Sequence, residues 1–186
     1  MRFLRKNLIF IVLLLAAGIA VAVPGVRQYL QEQFVPVATV QEAVTVDDAD
    51  YDVVLKGINT TSTNLKNFKG KRLLFLNFWG TWCKPCREEW PSIQKLYDSR
   101  KHNMDFVLIA MMDKEEDVRK FMKDNNYTVP VYIAESPIDG KILPKVFPTT
   151  FVLDANGRIL QKETATKDWN AAEVHSFLDK FTKAEK

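Results

Sequence analysis

The sequence predicts an α/β domain with a mixed central sheet flanked by helices. Two apolar runs, RLLFLNFW (Arg72–Trp79) and DFVLIAMM (Asp105–Met112), are nearly continuous, as expected of strands buried on both faces. Each is followed by a segment whose apolar residues recur at helical spacing. Near the C-terminus, TTFVLDANGRILQKE has the form of a β-hairpin, because Asn156-Gly157 supplies the positive φ a tight turn needs.

The elements follow in order. YDVVL, from Tyr51, suits an edge strand, and GINTTSTNLKNFKGK after it is a polar, turn-rich connection. After the first buried strand, Ile93, Leu96 and Tyr97 stand at i, i+3, i+4, so Pro85–Arg100 reads as a helix with one apolar stripe. After the second, EEDVRKFMKDNN places Val118, Phe121 and Met122 on one face of a short helix, and VPVYIA is a third strand. The hairpin follows, and AAEVHSFLDKF closes the chain with Val174, Phe177, Leu178 and Phe181 on one helical stripe. Strands alternating with helices imply a parallel core covered on both faces, and the hairpin makes the sheet mixed.

Residues 1–23 are set apart from this domain. A basic MRFLRKN precedes a 16-residue uncharged stretch, Leu8–Val23, which Pro24-Gly25 ends. The stretch is short for a bilayer span and long for a secretory core, and Ala20-Val21-Ala22 resembles a cleavage site, so an uncleaved anchor helix and a signal peptide both fit. Either places the remainder outside the cytoplasm, because positive flanks stay inside. Residues 24–50 have the mixed, then acidic, character of a linker, leaving 51–186 as the domain. Without Arg2, Arg5 and Lys6 the 26 basic residues fall to 23, equal to the 23 acidic ones. The body is neutral and its charges are mixed, which argues against a nucleic-acid partner.

Only two cysteines occur, Cys83 and Cys86, separated by Lys84-Pro85. A bridge closing so small a loop removes little unfolded-state entropy and is a poor staple. A zinc site needs about four ligands, and only His102 and His175 could add to the pair, at no finger-like spacing. A redox pair fits best. Placed where a strand turns into a helix, the first thiol meets the unpaired N–H groups and positive end of the helix dipole, which favour its thiolate. The second, about one turn on, can reach the first sulfur and resolve a mixed disulfide. The redox cofactor is then the Cys83–Cys86 pair itself, with no metal or other cofactor expected.

FLNFWGTWCKPCREEWP (Phe75–Pro91), followed by FPTTFVLDANG (Phe147–Gly157), resembles the thioredoxin superfamily, and more closely its membrane-anchored ResA/TlpA-type thiol–disulfide oxidoreductases. The resemblance spans roughly Tyr51 to Phe181. It implies a thioredoxin-like fold with an N-terminal strand extension and an inserted β-α element. It makes Cys83 the exposed nucleophile and Cys86 the buried resolving thiol, with Pro85 and Lys84 in the tuning dipeptide. Many relatives carry an acid between the cysteines, so Lys84 is a departure; a cation there favours the thiolate and the reduced form. Pro148 corresponds to a cis-proline facing the cysteines. Trp82, Phe147, Pro148 and Thr149 would meet the substrate chain. Pro91 corresponds to a helix-kinking proline. Asn77 stands where ordinary thioredoxins have a buried Asp, and an amide cannot relay a proton; Glu89, three residues past Cys86, would replace that base, while Glu88 suits an exposed helix face.

The activity so implied is extracytoplasmic protein disulfide reduction. Apocytochrome c is one client class, and a membrane thiol carrier of the CcdA/DsbD kind would be the electron donor. A general envelope reductase or oxidase with other clients, and a non-catalytic thioredoxin-like binding module, are the alternatives.

Overall fold

The computed structural model of the protein describes residues 44–138 and 140–182. The apolar N-terminal segment lies outside them, so the choice between anchor and signal peptide does too. No helix among the described residues is long and apolar enough to cross a membrane.

Seven strands form one sheet: β1 (Val54–Gly57), β2 (Thr63–Asn64), β3 (Leu73–Trp79), β4 (Met104–Ala110), β5 (Val131–Ala134), β6 (Thr149–Leu153) and β7 (Ile159–Glu163). Among the described residues the helices are α1 (Lys84–Arg100), α2 (Glu115–Asp124) and α3 (Ala172–Thr182), with 3-10 turns at Leu65–Phe68 and Gly140–Ile142. The sheet order is β2-β1-β5-β4-β3-β6-β7. The β3, β4 and β5 strands are parallel, and both flanks are antiparallel. The sheet is therefore mixed at both ends, not at the C-terminal hairpin alone. The edge strand expected at Tyr51–Leu55 lies three residues later and one place inward. Its outer neighbour is β2, two residues in the stretch that had looked like connection, too short to show a period.

Strand alternation sorts the core into two layers. Leu73, Phe75 and Trp79 of β3 join one cluster, and Leu74, Leu76 and Phe78 the other. The first layer takes the apolar faces of all three helices, through Trp90, Ile93 and Leu96, through Val118 and Met122, and through Val174 and Leu178. Helices on both faces had been expected. The chain instead steps from β3 to β4 to β5 in one direction, and successive right-handed crossovers in one direction put their helices on the same face. The second layer is closed by Val46, Tyr51, Val53, Leu65, Ile138 and Ile142, from irregular chain and 3-10 turns.

The domain also begins before Tyr51. Thr45 bridges to Arg158, Val46 N–H donates to the Gly157 carbonyl at 2.8 Å, and the Val46 side chain is fully buried. Residues 44–50, assigned to the linker by their acidic composition, are tied to the domain through buried Val46 and Asp50. Their acids are used locally: Asp50 accepts from the N–H of Lys141 at 3.2 Å and from that of Asp47 at 3.1 Å. In the β6–β7 turn Gly157 alone has positive φ, +79°, and its N–H donates to Asp154 O at 2.9 Å. This is a turn closed by one left-handed glycine rather than by the Asn-Gly pair.

Candidate active site

β3 ends at Trp79, and Gly80-Thr81-Trp82 carries the chain to α1. Cys83 is the N-cap of that helix, and its sulfur accepts from the Cys86 N–H at 3.3 Å. Cys83 and Cys86 are joined as a disulfide. Cys83, expected to be exposed, is 4% accessible and Cys86 is 0%. The little accessible surface the pair retains is on Cys83. Both cysteines pack in the helix-side core cluster.

The loop before Cys83 is held from β4. Thr81 donates its N–H to Asp113 Oδ2 at 2.5 Å and its hydroxyl to Asp113 Oδ1 at 2.8 Å. The Trp82 indole N–H donates to the Met111 carbonyl at 3.0 Å. A Cβ on Gly80 would stand 2.5 Å from that indole nitrogen, so the fold-back of Trp82 requires glycine there. Trp82 is half exposed and meets Phe147 edge-on, ring centroids 5.5 Å apart. The β3–β6 register pairs Phe78 with Thr149, so Pro148 lies at the same sheet end as the cysteine loop. The Phe147–Pro148 peptide is cis. Thr149 is buried and its hydroxyl donates to Val146 O at 2.7 Å. Lys84 and Pro85 are exposed; the Lys84 ammonium stands 3.9 Å from Glu88 in a solvated pair. α1 runs through Pro91, which cannot donate to the Arg87 carbonyl.

Behind the disulfide lies a buried polar group. Asn77 shares the β3 face of Phe75 and Trp79, looking at α1. It is paired in register with Thr150 of β6, and its amide donates to the Thr150 hydroxyl at 2.8 Å and to Glu89 Oε1 at 3.0 Å. Glu89 lies on the buried stripe Cys86, Glu89, Trp90, Ile93, Leu96, one turn beyond Cys86, and is 1% exposed. Its other oxygen, Oε2, accepts from the Trp169 indole at 3.1 Å. Burial pushes the Glu89 carboxyl up from 4.5 to about 7, against the opposing effect of hydrogen bonds from Trp169, Asn77 and the Lys167 backbone. Asn77 Oδ1 is buried without a partner.

A cysteine at a helix N-cap, its partner one turn on, and a buried acid one turn beyond that suit thiol–disulfide exchange. Residues 39–179 match Redoxin. The chain belongs to this family. This Redoxin chain is 30% identical over 176 residues to the thiol–disulfide oxidoreductase ResA of Geobacillus kaustophilus, covering 94% of each. It is 35% identical over 131 residues to the thioredoxin-like protein YneN of Bacillus subtilis, covering 69% of this chain and 76% of that one. Among solved structures it resembles StoA of Bacillus subtilis, with a TM-score of 0.51, 26% identity, and coverage of 67% of this chain and 92% of that one. The Redoxin protein is thus a protein thiol–disulfide oxidoreductase of the ResA/StoA type.

Four further residues build this site without belonging to either sequence motif. Asp113 and Met111 hold the cysteine loop; nothing in DFVLIAMMDK marks them. Trp169 and Ser92 secure Glu89. For Trp169 a signal existed: it is the one large aromatic in the polar stretch TATKDWNAAE. The structure also separates two adjacent acids, Glu88 on the exposed face of α1 and Glu89 on its buried face.

Proposed function

We propose that this protein is an extracytoplasmic disulfide reductase in which Glu89 serves as the proton acceptor for Cys86. The observation that carries this reading is Glu89 itself, an acid buried on the same helical face as Cys86 and poised near neutrality.

The Cys83 thiolate attacks one sulfur of a client disulfide. That S–S bond breaks, the Cys83–client bond forms, and the first client sulfur leaves as a thiolate that takes a proton from water. The Cys86 thiol then gives its proton to the Glu89 carboxylate, and the resulting thiolate attacks Cys83. The mixed disulfide breaks, the Cys83–Cys86 bond forms, and the second client sulfur leaves as a thiolate, protonated in turn. Two electrons have passed to the client, and a membrane thiol carrier of the CcdA/DsbD kind restores the dithiol.

Asn77 suits this cycle better than an acid would. Its N–H donates to the Glu89 carboxylate, and half a turn of the amide would bring the partnerless Oδ1 to the protonated acid. Exposed Trp82 and Val146 and half-buried Phe147, beside the cis-proline, provide apolar contact for a client polypeptide. The basic, apolar N-terminus supports anchoring to or export across a membrane, and the resemblance of the motifs to the ResA/TlpA type carries the proposal of apocytochrome c as client.

The test is the reduction potential of the pair together with trapping by Cys86→Ala. A potential near about −250 mV or lower, with clients captured on Cys83, is expected; one near about −120 mV would make the protein an oxidant. Captured partners without haem-attachment cysteine motifs would remove the cytochrome assignment.

A further inference from the structure

We propose that Trp169 is a positioning residue for this reaction, its indole N–H fixing the second oxygen of Glu89 and so directing the proton from Cys86 onto Oε1. The proposal rests on Glu89 being the proton acceptor.

Trp169 lies in the loop between β7 and α3 and is 1% exposed. Its ring stands edge-on to Phe75, centroids 4.9 Å apart, and Phe75 is next to Asn77 on the same face of β3. The loop is fastened to α1 on both sides of the acid. Thr166 donates its hydroxyl to the Pro85 carbonyl at 3.1 Å. The Trp169 N–H donates to Ser92 Oγ at 3.0 Å, and that hydroxyl donates to the Glu89 carbonyl at 2.7 Å. The helix that carries Glu89 therefore sets the height of the indole that binds it.

Besides the donor that the Lys167 backbone supplies to the carboxylate, the two oxygens of Glu89 face different side chains. Oε1 meets Asn77, which can offer a donor or, after rotation, an acceptor. Oε2 meets an indole N–H, a donor in every state. A proton on Oε2 would set two donors against each other, whereas a proton on Oε1 finds Asn77 Oδ1. The indole bond also favours the ionised acid. One cation stands nearby: the Lys167 ammonium lies over the Trp169 ring, 5.5 Å from its centroid. From α1 the titratable neighbour is Cys86; β3 and β6 present Asn77 and Thr150; from the loop, the Lys167 ammonium is bonded to Glu163 of β7 at 2.9 Å.

The test uses the oxidised protein, in which neither cysteine titrates, with ¹³C-carboxyl glutamate and ¹⁵N-indole labels. In the wild type the Trp169 indole resonance and the Glu89 carboxyl carbon should titrate with one midpoint. An indole resonance that does not follow Glu89 overturns the proposal, whatever the behaviour of any variant. In Trp169→Phe the Glu89 midpoint should rise by about one pH unit or more, and the pH profile of client reduction should move up with it. A folded Trp169→Phe with an unmoved Glu89 midpoint overturns the positioning role and leaves Glu89 as the base. Glu89→Gln should abolish both the indole titration and the acid limb of the activity profile. If Glu89→Gln keeps the wild-type profile, the assignment of the base falls and this proposal falls with it.

Discussion

Glu89→Gln should change how the stability of the oxidised protein depends on pH. In the folded protein the Glu89 carboxyl is raised from 4.5 to about 7, so the folded state holds this proton more tightly than the unfolded chain. Below pH 4.5 both states are protonated and burial of the acid costs nothing in charge. As pH climbs from there to about 7 the unfolded chain ionises first, and stability falls; above about 7 both states are ionised and the penalty stays constant. The window is roughly two and a half pH units wide, and at about 1.4 kcal/mol per unit the wild type should lose about 3 kcal/mol across it. Glutamine has no such window. Its amide would meet the Trp169 and Lys167 donors and, after rotation of Asn77, one acceptor, and any fixed cost of that exchange cancels when the two proteins are compared across pH. The assay is urea unfolding of both oxidised proteins from about pH 4 to about pH 8. With a urea slope of about 1–3 kcal/mol per molar, the wild-type midpoint should fall relative to the variant by about 1 M or more. A difference that stays flat within about 0.5 kcal/mol would show that burial does not raise the Glu89 carboxyl above its unfolded value.

Two further outcomes follow from the loop and the dipeptide. Asp113→Ala removes the acceptor of the Thr81 N–H and hydroxyl bonds and should cost about 1–3 kcal/mol, with faster amide exchange at Thr81, two residues before the nucleophile. Lys84→Gln removes an exposed pair with Glu88 at 3.9 Å and should change the unfolding free energy by less than about 0.5 kcal/mol, measured in the same urea series.

What could be read from the sequence depended on whether a signal was local. The two buried strands, the helix after the cysteines and the late hairpin each carry their own period or turn residues, and each was found where expected. β2 did not, because its two residues pair with Val54 and Leu55 by position in the sheet rather than by any pattern. The placement of α1 and α2 on one face is likewise a property of crossover direction, which no single segment encodes. At the site, Cys83, Cys86 and Pro148 came from motifs. Asn77 and Glu89 came from their offsets to the cysteines. Trp169 and Asp113 are 86 and 30 residues from Cys83 and meet the site only after the sheet is built, so spacing could not reveal them.

Glu89 had a second signal that owes nothing to resemblance. Ile93 and Leu96 define the apolar stripe of α1, and Glu89 stands four residues before the first and seven before the second. An acid at that phase must be buried, and Glu88, one residue earlier, must be exposed. The same phase explains why the acid belongs on the helix. Cys86 and Glu89 move as one rigid element, so their separation is set by helical geometry and not by how the helix sits on the sheet. An acid on β3 at position 77 would depend on that docking. Asparagine there is released from the proton and left to serve whichever form Glu89 takes, and its buried, partnerless Oδ1 is the cost expected of an amide that must be ready for both.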